Sequence, residues 1–364
     1  MVQFLLKRTP NPVVRNLIWA IALLLPLTLP AKDQKPREVK LPPDLLLEGG
    51  RKLTFESVIT SERDIRGEKS FWRKVVDAVA GEAEYPNMKR PYGVAVDSKG
   101  RVIVTDPGLS GIHIFDPNQH KYKFVERKDK TKDNMLEPQC VAVDASDNIY
   151  VSDSKAGKIF VFEPSGKYKG VFGSLKGGEG FFKRPTGIAI DRETKEIYVT
   201  DTLRDRIYVL DARGTVLRSI GQHGDKDGEF NFPTELLVKN GILAVVDAMN
   251  FRVQSFDLKG TYEGKIGSIG DSSGAMFRPK GIGLDSENHI YLVEGMWGSV
   301  QVFDREGQLL YTFGERGTQL GQFQLPTGLY IDKNDRVYVA DSYNHRVQIF
   351  QYHGAKGGDL GVRP

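Results

Sequence analysis

Six prolines recur at nearly constant spacing. They are Pro91, Pro138, Pro185, Pro233, Pro279 and Pro326, separated by 47, 47, 48, 46 and 47 residues. Each opens a similar stretch: a short apolar run, an acidic turn, a second apolar run ending in an acid, and further alternating segments. A period in this range marks a solenoid, a propeller or an array, whose units bury their faces only against their neighbours. The repeated region is therefore expected to form one large domain.

The last repeat shows how a unit reads. Thr327 to Ile331 is an apolar run, and Asp332-Lys-Asn-Asp335 carries the residues that favour turns. Arg336 to Ala340 and Arg346 to Phe350 alternate β-branched or aromatic residues with others, as strands do, around a loop at Asp341–His345. Other repeats add a fourth strand, such as Thr215–Ile220 before Gly221. Four short strands per unit predict a propeller blade, so the fold class is all-β: six four-stranded antiparallel blades. The last repeat lacks its own fourth strand. Residues 52–59 precede the first repeat and are expected to close the ring as that strand, which removes an exposed sheet edge. A short amphipathic helix is expected over 70–80, capped by Ser70, with Phe71, Val75 and Val79 on one face.

The first 31 residues differ. Lys7, Arg8 and Arg15 precede an apolar run from Leu17 to Leu25, too short for an ordinary membrane span of about 20 residues. This reads as a signal peptide, with an uncleaved signal anchor as the alternative and the only expected tie to a membrane. Residues 32–50, with Pro36, Pro42 and Pro43, read as an extended linker, 51–351 as the propeller and 352–364 as a tail. The chain is therefore expected to be exported, periplasmic or extracellular. The whole chain carries +4, of which residues 1–31 hold +3. The remaining +1 is too little to hold a phosphate backbone, so nucleic acid is not an expected partner. Cys140 is the single cysteine, which excludes an internal disulfide.

Pro185-Thr-Gly-Ile-Ala-Ile-Asp191, Ile197-Tyr-Val-Thr-Asp201 and Asp341-Ser-Tyr-Asn-His-Arg346 resemble the NHL repeat, and the resemblance extends over residues 91–351. It implies a six-bladed propeller. The secreted bacterial branch of these proteins looks most similar, and some of its members are associated with extracellular cytochromes. A cell-envelope or extracellular protein partner is accordingly the expectation. The chain holds no Cys-x-x-Cys-His and so no c-type haem site of that kind. Fold alone does not imply function. The departures of the repeats from one another carry what remains.

An acid ends each second strand: Asp106, Asp153, Asp201, Asp247, Glu294 and Asp341. Five residues on stand Gly111, Lys158, Arg206, Arg252, Ser299 and Arg346, so four blades carry an acid–base pair at one offset. Such a pair reads as a buried salt bridge. Asp106 and Glu294 lack the basic member and are expected to be free. With Asn250 and Glu235 they are weak candidates for calcium, which takes oxygen ligands. Arg90, Arg184 and Arg278 precede the prolines of blades 1, 3 and 5. They form either an anion-binding collar or partners for the acid ring. Met249, Met296, Trp297, Tyr343 and His345 fall on loops of the same face, with Tyr92 nearby, in the residue types that binding patches favour. Cys140 replaces a glycine and reads as a small buried residue; no matching base for a nucleophile is visible.

Relatives in fold include the amidating lyase and calcium-dependent lactonases. The six histidines, His113, His120, His223, His289, His345 and His353, occupy unrelated repeat positions, which argues against a three-histidine zinc site. The leading expectation is a non-catalytic protein-binding or scaffold propeller with no cofactor. A calcium-assisted hydrolase or lyase is the alternative.

Overall fold

The computed structural model describes residues 41–66, 87–128, 133–270 and 274–355. The helix expected at 70–80 and the segment 1–31 lie outside the described residues. The sheets form six blades, five of them meanders running from the channel outwards and the sixth completed by strands from the start of the chain. The inner strands are Val94–Val96, Pro138–Val143, Pro185–Ile190, Pro233–Lys239, Pro279–Leu284 and Leu329–Ile331. Second strands such as Ile149–Asp153 are buried throughout, an apolar start followed by the buried polar pair Ser152 and Asp153. Outer strands such as Leu309–Phe313 alternate between exposed and covered residues, because one face meets solvent.

Blade 6 is larger than the others. Lys52–Ile59 pairs antiparallel with Arg346–His353, and Leu45–Leu46 pairs beyond it as a fifth strand. Two boundaries move as a result. The linker reading of 32–50 fails from Leu45 on, since Leu45 and Leu47 pack on the core of blades 5 and 6. The tail reading fails at 352: the strand continues to His353, and Tyr352 is only 2% exposed among Tyr291 and Phe350.

Each core cluster joins two neighbouring blades, so no blade has a complete core of its own. Ile59, Tyr338, Val347 and Ile349 of blade 6 pack with Val94, Val104 and Phe115 of blade 1. Hydrogen bonds tie the same seams at the channel. The Gly328 N–H donates to Tyr92 O at 2.8 Å and the Gly281 N–H to Thr327 O at 2.8 Å. In blade 3 the Thr200 hydroxyl reaches Thr234 O at 2.8 Å, and Thr105 and Ser152 do the same for Gln139 and Thr186.

The register slips just after the proline in blades 2 to 5, between Pro138 and Val141, Pro185 and Ile188, Pro233 and Leu236, and Pro279 and Ile282. Such bulges lift residues out of the ladder and re-aim their side chains. Here they turn the two residues after each proline towards the channel and the next blade. Four of the six residues at the second of these positions are glycine for a steric reason. A Cβ on Gly328 would stand 2.3 Å from Tyr92 O. Gly328→Ala is expected to lower unfolding free energy by about 1–3 kcal/mol through overpacking of the blade 6–blade 1 seam. Gly170→Ala, which has nothing within 4 Å of its Cβ, should change it little. Urea unfolding of the two variants checks this.

Candidate functional site

The channel has two ends of different chemistry. One is the proline face, formed by the loops that enter each blade and those between second and third strands. The other is formed by the turns between first and second strands.

On the proline face the acid ring is fully occupied. Every member is buried and accepts backbone N–H groups from the segment just before the proline. Asp106 takes Lys89 N at 2.6 Å and Arg90 N at 3.0 Å, and Glu294 takes Phe277 N at 2.9 Å and Arg278 N at 2.7 Å. Asp153 and Asp201 also take two such groups each, and Asp247 and Asp341 one. The expectation that Asp106 and Glu294 are free is therefore wrong. A carboxylate needs no basic residue at one offset when backbone donors already satisfy it. In blade 1, His113 adds Nε2 at 3.2 Å from Asp106. Burial acts to raise Asp106, yet His113 and the Lys89 and Arg90 N–H groups hold its carboxyl below the ordinary value.

The acid–base pair at the fixed offset forms in blades 4 and 6, as Asp247–Arg252 at 2.8 Å and Asp341–Arg346 at 2.7 Å. In blade 3, Arg204 reaches Asp201 at 3.1 Å while Arg206 donates to Arg204 O. In blade 2, Lys158 pairs with Asp133 at 2.7 Å. The calcium candidates do not converge. Asn250 donates to Gly224 O and Asp247, and Glu235 lies deep in the channel. Among the described residues no group of three or more His, Cys, Asp or Glu stands close enough to hold a metal ion.

The arginines answer to neither partner cleanly. Their backbone N–H groups serve the acid ring, while their side chains are exposed. Arg90 stands 3.5 Å from Glu137. The side chains of Arg184 and Arg278 make no ion pair among the described residues. Met249, Met296, Trp297 and Tyr343 are all exposed, at 53, 39, 54 and 56%. Leu136, Leu203, Phe232 and Phe277 join them on this face. His345 is tied down, with Nδ1 2.6 Å from Lys89 O across the blade 6–blade 1 seam. Tyr92 leaves the patch altogether, because the turn after Pro91 directs it into the channel.

The channel waist consists of residues that follow the prolines. Tyr92, Thr186, Thr234, Glu235, Lys280 and Thr327 surround a void of about 10 Å³, roughly one water molecule. Thr186 and Thr327 spend their hydroxyls on backbone carbonyls. The buried Thr234 Oγ1 has no partner among the described residues. Cys140 and Glu235 occupy the glycine position of blades 2 and 4, and they meet in front of blade 3. The Cys140 thiol donates to Glu235 Oε1 at 3.0 Å. The base absent from the sequence reading thus exists, at the matching repeat position two blades away.

Burial pushes Glu235 up from 4.5 to about 7. Burial, with Arg278 and Arg184 nearby, brings Lys280 down to about 8 against the pull of Glu235 and Glu294. Burial and the carboxyl together raise the Cys140 thiol well above its usual range, so at neutral pH it is a protonated donor and not a nucleophile. Beyond Glu235 the channel widens into a funnel of about 770 Å³ that opens at the far mouth. Val96, Val143, Ile190, Val238, Leu284 and Ile331, the fifth residue after each proline, line it.

These blades, seams and channel define a six-bladed β-propeller, and residues 130–201 and 194–273 match the 6-bladed beta-propeller family. Residues 323–350, in the last blade, match the NHL repeat. No curated protein matches the chain in sequence. Similar solved structures include a structural genomics protein of unknown function from Bacteroides thetaiotaomicron, with TM-score 0.58, 16% identity, and 86% of this chain and 84% of that one covered. A gluconolactonase from Xanthomonas campestris gives TM-score 0.55 at 13% identity, over 87% and 100% of the chains. Virginiamycin B lyase from Staphylococcus aureus gives 0.54 at 16%, over 72% and 95%. At such identities the likeness is one of fold.

Glu235 makes stability depend on pH. The folded protein keeps its proton to about pH 7, whereas 4.5 is the ordinary value of an unfolded glutamate. Between these values the native state binds more protons, so stability falls as pH rises, by at most about 1.4 kcal/mol per pH unit. Glu235→Gln is expected to remove that contribution. The variant's stability relative to wild type should rise steadily from pH 5 to pH 7 in urea titrations.

Proposed function

We propose that this chain is an exported, non-catalytic propeller that binds a protein partner on its proline face. One observation carries the reading. Of fifteen exposed large apolar side chains among the described residues, eight stand on this single end of the ring. They include Trp297, Tyr343, Met249, Met296, Phe232 and Phe277, the types enriched in interface cores. Scattered exposed apolar residues need no explanation, but a concentration on one face does. Arg184 and Arg278 stand near the channel on that face without ion-pair partners among the described residues, and complement a partner carrying a carboxylate. The basic and apolar start at residues 1–31 supports export to the cell envelope.

Photo-cross-linking residues placed at 297 and 343 test the reading in the producing cell. One discrete protein adduct is expected from both positions. None is expected from position 217, an exposed leucine on the outer strand of blade 3. Trp297→Ala should weaken capture of the same partner by about thirty-fold, the effect of a 2 kcal/mol anchor. Equal adducts from position 217, or none from 297 and 343, would refute it. A calcium-dependent hydrolase activity of the purified protein would overturn the non-catalytic part.

A further inference from the structure

The opposite mouth is a different site. Its funnel of about 770 Å³ lies within the size range of small-molecule pockets. The wall carries an aliphatic side chain from every blade at one repeat position, Cys140 and Glu235 close its deep end, and the outer rim mixes acids with bases, among them Asp97, Asp191, Asp332, Arg192 and Lys239. Glu235 Oε1 takes the Cys140 thiol at 3.0 Å and Leu236 N at 3.4 Å. Oε2 has no hydrogen-bond partner among the described residues. Lys280 is the cation whose charge acts on it, yet the two are not within ion-pair distance. An ionised carboxyl at the base of an aliphatic channel, without a counter-charge in contact, is costly. Nothing in packing demands it, since four blades carry glycine at the same position.

We propose that the funnel binds a small aliphatic amine: a hydrocarbon body lies against the six-blade aliphatic wall, and its ammonium group supplies the missing counter-charge to Glu235. At the deep end a carboxylate would meet like charge in Glu235, and a neutral group would leave the carboxyl unpaired; the rim, where Lys99, Arg192 and Lys239 stand among acids, does not select. The Cys140 thiol holds one oxygen of Glu235 and so orients the other. This site is independent of the protein-docking face, which lies at the other end of the channel.

The charged and titratable groups around Glu235 set the pH dependence. Cys140 faces it from blade 2, Tyr92 from blade 1 and Lys280 from blade 5, with Arg184, Arg278 and Glu294 acting on Lys280 from behind. Cys140 and Tyr92 are both pushed upward and stay protonated through neutrality. Glu235 ionises near pH 7, and Lys280 loses its proton near pH 8. Both changes favour a bound cation as pH rises.

Calorimetric titration with n-hexylammonium, hexanoate and 1-hexanol tests the site on the purified full chain. Hexylammonium is expected to bind one-to-one at pH 8 and about tenfold more weakly at pH 6, where about one carboxyl in ten is ionised. Hexanoate and hexanol should bind at least about tenfold more weakly at pH 8, the equivalent of about 1.4 kcal/mol. Glu235→Gln should abolish both the preference and the pH dependence. Leu284→Trp, which adds bulk at the funnel wall and leaves the Glu235 carboxyl in place, should also abolish binding and decides the matter if the glutamine variant does not fold. Trp297→Ala should leave amine binding unchanged, which separates this site from the docking face. The proposal fails if hexylammonium does not bind, if hexanol or hexanoate binds equally well, or if Glu235→Gln binds like wild type.

Discussion

The proline face depends on one repeated interaction: a buried carboxylate at the end of each second strand, accepting backbone N–H groups from the segment that enters the blade. Proline has no N–H and fixes its own φ, so the chain turns into each blade sharply and leaves the donors before it without a ladder partner. A charged acceptor satisfies them with hydrogen bonds about twice as strong as neutral ones. In blades 1, 2, 3 and 5 both donors bond the same acid, as Lys183 and Arg184 do with Asp201 at 2.9 and 2.8 Å. Blades 4 and 6 use one donor and add a guanidinium, from Arg252 and Arg346. The arginine is thus a variation, while the acid and backbone contact persist in all six blades. It follows that this ring of carboxylates is structural and has little left to offer a metal ion.

The blades are legible in the sequence because the information is local. Alternation over five residues, an aspartate turn and a proline lead-in all fall within one unit, and six copies correct each other. The acid ring is legible as a column, but its partners are not, because a backbone N–H some sixteen residues upstream has no side-chain signature. The exposed patch was half legible. Met249, Met296, Trp297 and Tyr343 stand in loops whose polar neighbours mark them as surface. Leu136 and Phe277 lie just before apolar strands and read as their first core residues, although they are 43 and 46% exposed. Leu45–Leu46 sits close to Pro42 and Pro43 and reads as linker; its partner strand Lys52–Ile59 is held in place by the last strand of the chain, Arg346–His353.

The Cys140–Glu235 contact shows the same limit more sharply. The two residues are 95 positions apart, and each looks like an isolated lapse from glycine. Only the bulge after the proline brings them together, because it lifts both side chains out of their ladders and into the channel. The glycines elsewhere in that column are held by the close approach of the next blade, as at Gly187, where a Cβ would stand 2.7 Å from Thr234 O. Departures from glycine are thus permitted only where the side chain can leave along the channel. Aligning the column makes the pair readable once the ring is known to close.

Placing stability in the seams leaves both mouths chemically free. Core clusters shared between neighbours and the backbone hydrogen bonds around the channel hold the ring, and the side chains of Trp297 and Tyr343 and the second carboxyl oxygen of Glu235 take no part in them. The two ends have diverged accordingly: one gathers aromatic and methionine side chains around Arg184 and Arg278, which make no ion pair among the described residues, and the other encloses a funnel with an aliphatic belt over one partly buried acid. The waist between them is nearly closed, by Tyr92, Lys280 and the threonines, around a void the size of a single water. A ligand at one mouth therefore does not pass to the other. Communication between the mouths would run through charge: Lys280 feels Arg278 and Arg184 on one side and Glu235 on the other. An anion seated on the arginines would favour the protonated lysine, which in turn favours an ionised Glu235.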